Sequence, residues 1–152
     1  MRITELDISG FKGQYIRLGL TGRDLVRAPN MAGKTAIRQS IEFMANGVPE
    51  GLKREDLIDY APTGEFYVSM RTDSGVLVKR VFTVLKGGKT KIDLEFEPAG
   101  LEETLADKTE RLYLEFEDAP LVTFDLTKFL TGDDSYRLES CQIGRASCRE
   151  RV

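Results

Sequence analysis

Residues 28–35, Ala-Pro-Asn-Met-Ala-Gly-Lys-Thr, combine residue types and a spacing that suit phosphate binding. They follow the pattern of an eight-residue loop ending in Gly-Lys-Ser/Thr, with Ala28 where the strict pattern has its first glycine. In such a loop, successive backbone N–H groups surround the phosphates of a nucleotide. Lys34 would reach the β- and γ-phosphates, and the Thr35 hydroxyl would bind Mg²⁺. The stretch predicts a nucleoside triphosphate site.

Gly33 is the position in this loop where we expect a Cβ to collide with a phosphate, because the backbone has to approach the ligand closely. A helix beginning at Lys34 would add the partial positive charge of its N-terminus. The alternative is an ordinary glycine-containing turn with a solvated lysine. The elements around the loop bear on this choice.

A phosphate loop of this kind lies between a strand and a helix, and the sequence predicts both. "DLVR", residues 24–27, has the pattern of a short strand that leads into the loop. After the loop, Ile37, Ile41 and Met44 recur at helical spacing, and Gly47 is suited to end the helix. The order strand, loop, helix favours the phosphate site over the ordinary turn.

The other segments predict an α/β fold with a mixed sheet. Residues 3–20 have the pattern of a β-hairpin that turns at "GFKGQ". Residues 48–63 form a linker with a short helical turn, and residues 65–97 form an antiparallel meander with a tight "KGGK" hairpin. Residues 101–117 favour a helix, although "LYLEF" suits a strand equally well.

Composition describes one small globular unit of 152 residues with 41% hydrophobic residues and a net charge of -3. No apolar run approaches the roughly 18 residues of a membrane span, and no secretory signal is seen, so a cytoplasmic protein without a membrane partner is expected. Two cysteines and no histidine argue against a disulfide framework or a histidine-based triad. The acidic balance gives no global reason to expect nucleic-acid binding.

Together, "ITELDISGFKGQ" and "LVRAPNMAGKTAIRQSIEFMANG" resemble the N-terminal segment of the SMC/RecF-like branch of ABC-type ATPases, which includes SbcC-like DNA-repair proteins. In that family a hairpin with an Asn-Phe-(Arg/Lys)-Gly turn precedes a loop of the form Gly-Pro-Asn-Gly-(Ala/Ser)-Gly-Lys-(Ser/Thr). The resemblance is clearest over residues 1–47, and "VTFDLTKFLTGDDSYR" is similar to the stretch before the coiled coil in some members. Ala28 and Met31 depart from the family, which usually has glycine at both positions.

The resemblance implies that the loop binds ATP and Mg²⁺, that Asn30 lies beside the γ-phosphate, and that Lys12 in the hairpin reaches the nucleotide. A solvated turn lysine is the alternative for Lys12, and a turn former after proline is the alternative for Asn30. The implied nucleotide-binding residues are Lys12, Ala28, Pro29, Asn30, Met31, Ala32, Gly33, Lys34 and Thr35, and Thr35 is the implied magnesium ligand.

The family's Walker B acids and signature motif lie near the C-terminus of long chains, and nothing in this sequence resembles them. Residues 1–142 are therefore interpreted as the incomplete N-terminal part of an ATPase head domain, with no catalytic residue of its own. The resemblance implies a complete ATPase that pairs with a second head and acts on DNA, with a nuclease subunit as a further candidate partner. A P-loop kinase or GTPase of another class, and a non-hydrolysing nucleotide-binding module, stay open as alternatives.

Two basic segments are given no role in binding. Residues 143–152 hold three arginines without apolar periodicity, and they resemble the translation of a common sequencing-library adapter rather than an evolved tail. A basic, frayed tail is the alternative. Lys86, Lys89 and Lys91 of the "KGGKTK" hairpin are interpreted as a solvated tip, although they would also suit a contact with DNA phosphates.

Overall fold

The structure is a computed structural model that describes residues 2–21, 24–29, 31–100 and 104–115. These residues lie in one compact unit, and a second unit, residues 122–152, lies outside the described part together with the predictions made for it. The fold is α/β. Its elements are β1 (Ile3–Phe11), β2 (Gln14–Gly19), α1 (Lys34–Asn46), a 3₁₀ turn (Glu55–Ile58), β3 (Glu65–Thr72), β4 (Leu77–Val84), β5 (Thr90–Glu97) and α2 (Leu105–Glu115).

The five strands form one sheet in the order β2-β1-β3-β4-β5. Every pairing in it is antiparallel, and β1 joins the N-terminal hairpin to the meander by placing Ile8 opposite Val68. The prediction of a mixed sheet is therefore wrong for the described residues. Three of the four pairings join strands that are consecutive in the chain, and short turns between neighbouring strands produce antiparallel pairs.

The short strand predicted at residues 24–27 is not formed, and this too is a correction. Leu25 and Val26 are 75% and 42% exposed in a segment without regular structure. Just before it, the Thr21 N–H and hydroxyl donate to the Asp24 carboxylate at 2.9 and 2.8 Å. Apolar residues form a strand only where a neighbouring strand accepts and donates their backbone hydrogen bonds, and none of the described strands pairs with this segment.

The N-terminal hairpin was predicted correctly, and its turn is tight. Lys12 and Gly13 form the two-residue connection with φ of 51° and 70°, the positive values that a type I′ turn requires. Ile16 and Leu18 of β2 pack against the core, as their alternation predicted. The turn therefore holds Lys12 at one end of the sheet.

Four phenylalanines fill the centre of the core between α1 and the sheet. Phe66 on β3 has ring centroids 5.0 Å from Phe11, 4.9 Å from Phe43 of α1 and 5.0 Å from Phe82 of β4. All four side chains are fully buried. The meander aromatics Phe66, Phe82 and Phe96 are thus core residues, and Phe66 holds α1 against the sheet through Phe43.

α1 ends at Gly47, as the sequence predicts, and a buried arginine lies beside this end. Gly47 caps the helix in the left-handed region with φ of 80° and donates its N–H to the Phe43 carbonyl at 2.8 Å. A Cβ at Gly47 would lie 2.6 Å from Nη1 of Arg80 on β4, which is only 7% exposed. Burial lowers the pKa of the Arg80 guanidinium, while the negative end of the α1 dipole favours a cation there.

The second helix settles the alternative at residues 112–115 of "LYLEF", because α2 continues to Glu115, and Phe116 lies outside the described residues. Leu112 is buried, and the Arg111 guanidinium lies 4.4 Å from the Phe96 ring centroid. At its start, the Thr104 N–H and hydroxyl donate to the Asp107 carboxylate at 2.8 and 2.6 Å, as in a capping box. In the described residues, neither helix has the length and apolar character that a membrane span needs.

Replacing Phe66 with alanine tests the core. We expect Phe66→Ala to lower the free energy of unfolding by about 3 to 5 kcal/mol, because it leaves a cavity among three aromatic rings. Urea unfolding followed by circular dichroism measures the change. Tyr15→Ala, at a side chain 69% exposed, is the control and should stay within about 0.5 kcal/mol of the original chain. Equal effects of the two changes would contradict this core.

The α2 cap predicts a pH effect. Hydrogen bonds from the Thr104 hydroxyl and then its backbone N–H lower the pKa of Asp107 below its ordinary value of 3.8. The cap therefore stabilises α2 fully above that value, and the contribution is lost as pH falls through the lowered pKa. An NMR titration of the Asp107 carboxyl measures it, and Thr104→Ala should return the pKa towards 3.8. An unchanged pKa in the variant would contradict the cap.

Candidate functional site

The turn of the β1–β2 hairpin and the N-terminus of α1 together line an open cavity. Its volume is about 610 Å³, within the range of small-molecule sites. The hairpin contributes one wall, and the loop with the first turn of α1 contributes the other. The lining residues are Lys12, Gln14, Met31, Gly33, Lys34, Thr35 and Ala36.

The N-terminus of α1 leaves its first backbone N–H groups available to a ligand. The helix begins at Lys34 with Gly33 as its N-cap, and no side chain caps it. The first turn holds no acidic residue, so nothing in it opposes an anion. Since the first N–H groups of a helix lack internal partners, this end of α1 attracts negative charge.

Gly33 is required by the contact between the loop and the hairpin. Its φ of 90° is in the left-handed region. A Cβ there would lie 3.2 Å from Cδ1 of Ile16 and 3.3 Å from Oε1 of Gln14. A Cβ at this position was expected to collide with phosphate, and the structure adds a collision with side chains of the protein itself. Glycine lets the loop lie directly against β2.

Lys34 is folded back over its own loop. Its ammonium Nζ donates to the carbonyl of Ala28 at 2.5 Å and to that of Pro29 at 3.2 Å. The Pro29 carbonyl also accepts the Ala32 N–H at 3.3 Å. The lysine therefore donates to two carbonyls of its own loop, and its side chain is exposed.

Lys12 faces the same cavity from the hairpin turn. Its backbone N–H donates to the Tyr60 carbonyl at 2.8 Å, and its Nζ lies 4.4 Å from the centroid of the Tyr60 ring. Such a cation–π contact at an exposed position contributes about 0.5 to 1 kcal/mol. Two lysines from separate parts of the chain, Lys12 and Lys34, thus line one cavity.

Met31 has an unusual conformation for a residue with a side chain. It is fully exposed and has φ of 66°, which costs a residue other than glycine about 1 to 2 kcal/mol. Glycine adopts this region without strain, so the Met31 backbone holds a conformation that is costly for its own residue type.

The structure brings together most of the residues that the sequence predicted. Lys12, Met31, Gly33, Lys34 and Thr35 line the cavity. Ala28 and Pro29 supply the carbonyls beneath Lys34, and Ala32 belongs to the same turn. Asn30 lies outside the described residues.

Gln14 and Ala36 line the cavity and were missed by the sequence analysis. Ala36 lies in the first turn of α1, where a ligand would contact the backbone rather than the side chain. The residue type at this position therefore does not indicate a binding role. Gln14 begins β2 on the same face as Ile16, which makes it a polar residue in an otherwise apolar series. That break in the alternation was the available signal.

The groups around the cavity suit a nucleoside triphosphate. Phosphates require hydrogen-bond donors, which the backbone N–H groups and two lysines supply. Mg²⁺ requires oxygen ligands, and the Thr35 hydroxyl supplies one. No group of three or more acidic, cysteine or histidine side chains clusters as a metal site within the described ranges. A magnesium ion here would be held by Thr35 and by oxygens of the nucleotide itself.

Comparison with known proteins does not assign the chain to a family. No protein-family model matches the chain, and no curated protein matches it. The functional argument therefore depends on the residues and contacts of the cavity.

Alanine substitutions at Gly51 and Gly33 distinguish the cost of backbone strain from the cost of contacts between the loop and β2. Gly51 has φ of 79° and open space where a Cβ would be, whereas Gly33 has φ of 90° and two close side chains. We expect Gly51→Ala to cost about 1 to 2 kcal/mol of unfolding free energy from strain, and Gly33→Ala about 1 kcal/mol more from the contacts. Denaturant unfolding of both variants measures the difference. Equal costs would mean that the loop does not press on β2.

Proposed function

We propose that this chain is the ATP-binding N-terminal part of an SMC/SbcC-like ATPase that acts in DNA repair or chromosome processing. The observation that carries the proposal is the cavity in which the N-terminus of α1, Lys34 and Thr35 face Lys12 of the hairpin. The sequence motif agrees with the start of the helix, since Gly33 is the N-cap of α1 and Lys34 and Thr35 are its first two residues.

Local charge supports an anionic ligand although the chain as a whole is acidic. The net charge is -3, so long-range attraction does not recruit a nucleotide. Lys12 and Lys34 line the cavity, and the first turn of α1 holds no acid. Each charge near a helix N-terminus contributes about 0.3 to 1 kcal/mol, and direct hydrogen bonds to charged phosphates contribute more.

The proposed role of this part of the chain is to bind the triphosphate and its Mg²⁺. Gly33 lets the backbone approach the phosphates, Lys34 exchanges its loop carbonyls for phosphate oxygens, and Thr35 ligates the metal. Hydrolysis would also need a group that orients water and a carboxylate at the metal. We propose that these come from the remainder of the complete protein.

The exposure of the site is compatible with a second protein surface over it. Among the described residues, Met31, Lys34 and Thr35 are all exposed, so a nucleotide bound there would be accessible to a partner. In the complete ATPase we propose that a second head closes this side, and that opening and closing of the pair acts on DNA, with a nuclease subunit as a further partner. A P-loop kinase or GTPase would share the cavity but differ in nucleotide preference.

The proposal predicts that Lys34 is essential for nucleotide binding. In the ¹⁵N-labelled chain, addition of Mg·ATP should shift the amide signals of residues 33–36, and Lys34→Ala should weaken binding at least about tenfold through the loss of a charged hydrogen bond. Lys86→Ala, at the exposed β4–β5 hairpin, is the matched control and should bind normally.

Three results would overturn the proposal. The first is an original chain whose signals do not move at millimolar Mg·ATP, and the second is a Lys34→Ala variant that binds as well as the original. Equal or better binding of GTP would reject an ATPase of this branch in favour of another class of P-loop protein.

A further inference from the structure

Gln14 lies in the cavity wall opposite the phosphate loop and has no role assigned so far. It is the first residue of β2, directly after the tight turn at Lys12 and Gly13. Its Oε1 lies 3.3 Å from the position that a Cβ of Gly33 would occupy. The end of its side chain therefore lies beside the loop that precedes α1.

The sheet fixes the direction of the Gln14 side chain. In β2, Ile16 and Leu18 pack against the core, and Gln14 precedes them on the same face because strand residues two apart share a face. Ile16 also touches the Gly33 position, at 3.2 Å. The Gln14 amide is thus aimed at the loop by the same strand that packs Ile16 beneath it.

Gln14 is half-buried, and its side-chain amide has an unused hydrogen-bonding capacity. The side chain makes no hydrogen bond to any residue within the part of the chain that the structure describes. A glutamine amide carries two N–H donors and one carbonyl acceptor, and a half-turn about its last bond exchanges them. Since Gln14 lines the cavity, a ligand bound there is a natural partner for this amide.

We propose that the Gln14 side-chain amide donates a hydrogen bond from Nε2 to a phosphate oxygen of the bound nucleotide. This inference rests on the proposed function, since it concerns the same cavity. Lys12 and Lys34 supply charge on long, flexible side chains, whereas Gln14 supplies a donor whose direction is set by β2. The hairpin then forms a second wall of the phosphate site and not only a support for the sheet.

Two substitutions test the contact with Mg·ATP and with inorganic tripolyphosphate as probes. Gln14→Ala removes the donor and should weaken binding of both probes about tenfold. Gln14→Glu keeps the shape but faces the phosphates with a carboxylate, so the loss should be larger and should shrink at high salt. Amide NMR titrations measure the dissociation constants, and thermal unfolding establishes that each variant folds.

Tyr15→Ala is the matched control, because Tyr15 is the next residue of β2, faces the other way and is 69% exposed. It should bind both probes normally. If the Glu variant does not fold, the Ala variant decides.

The outcomes separate this inference from the function beneath it. Normal binding in both Gln14 variants, with binding lost in Lys34→Ala, would overturn the Gln14 contact and leave the nucleotide site standing. A loss for ATP without a loss for tripolyphosphate would assign Gln14 to the sugar or base and overturn the phosphate contact. Absence of binding in the original chain would instead reject the proposed function.

Discussion

The burial of Phe11 is the interaction on which the cavity depends. Its ring lies 5.0 Å from Phe66, 6.4 Å from Phe43 of α1 and 5.4 Å from Tyr60, and it is fully buried. Phe11 is also the last residue of β1, directly before Lys12. One side chain therefore ties the hairpin turn, the helix and the sheet together. Because close-packed aromatic contacts resist displacement, Lys12 and the start of α1 keep their separation.

The two ends of α1 are organised by the same physical rule. Each end is bounded by a glycine in the left-handed region, Gly33 before the helix and Gly47 after it. At each end the missing Cβ leaves room for a specific neighbour, Gln14 and Ile16 at the start and Arg80 at the end. A buried cation thus lies at the negative end of the helix dipole, and the cavity lies at its positive end.

Much of the fold could be predicted from the chain because its signals are local. Alternating residues such as Phe66, Val68 and Met70 identify β3, and they are buried as expected. The limits of α1 follow from Gly33 and Gly47, where only the backbone freedom of glycine suits the turn. The predictions that were wrong, a strand at residues 24–27 and a mixed sheet, required partners for backbone hydrogen bonds. No local pattern states whether such a partner is present.

The candidate site also has features that the sequence predicts and features that only the tertiary structure shows. The amino-acid sequence by itself determined the loop, its Gly-Lys-Thr ending and the helix that follows, because these depend on neighbouring residues. Only the tertiary structure decided that Gln14 shares a cavity with Gly33 and that Lys34 is held by the carbonyls of Ala28 and Pro29. The closeness of Gln14 and Gly33 depends on the packing of α1 against the hairpin through buried aromatic rings. Packing between distant segments is set by shape and burial, which residue spacing alone does not encode.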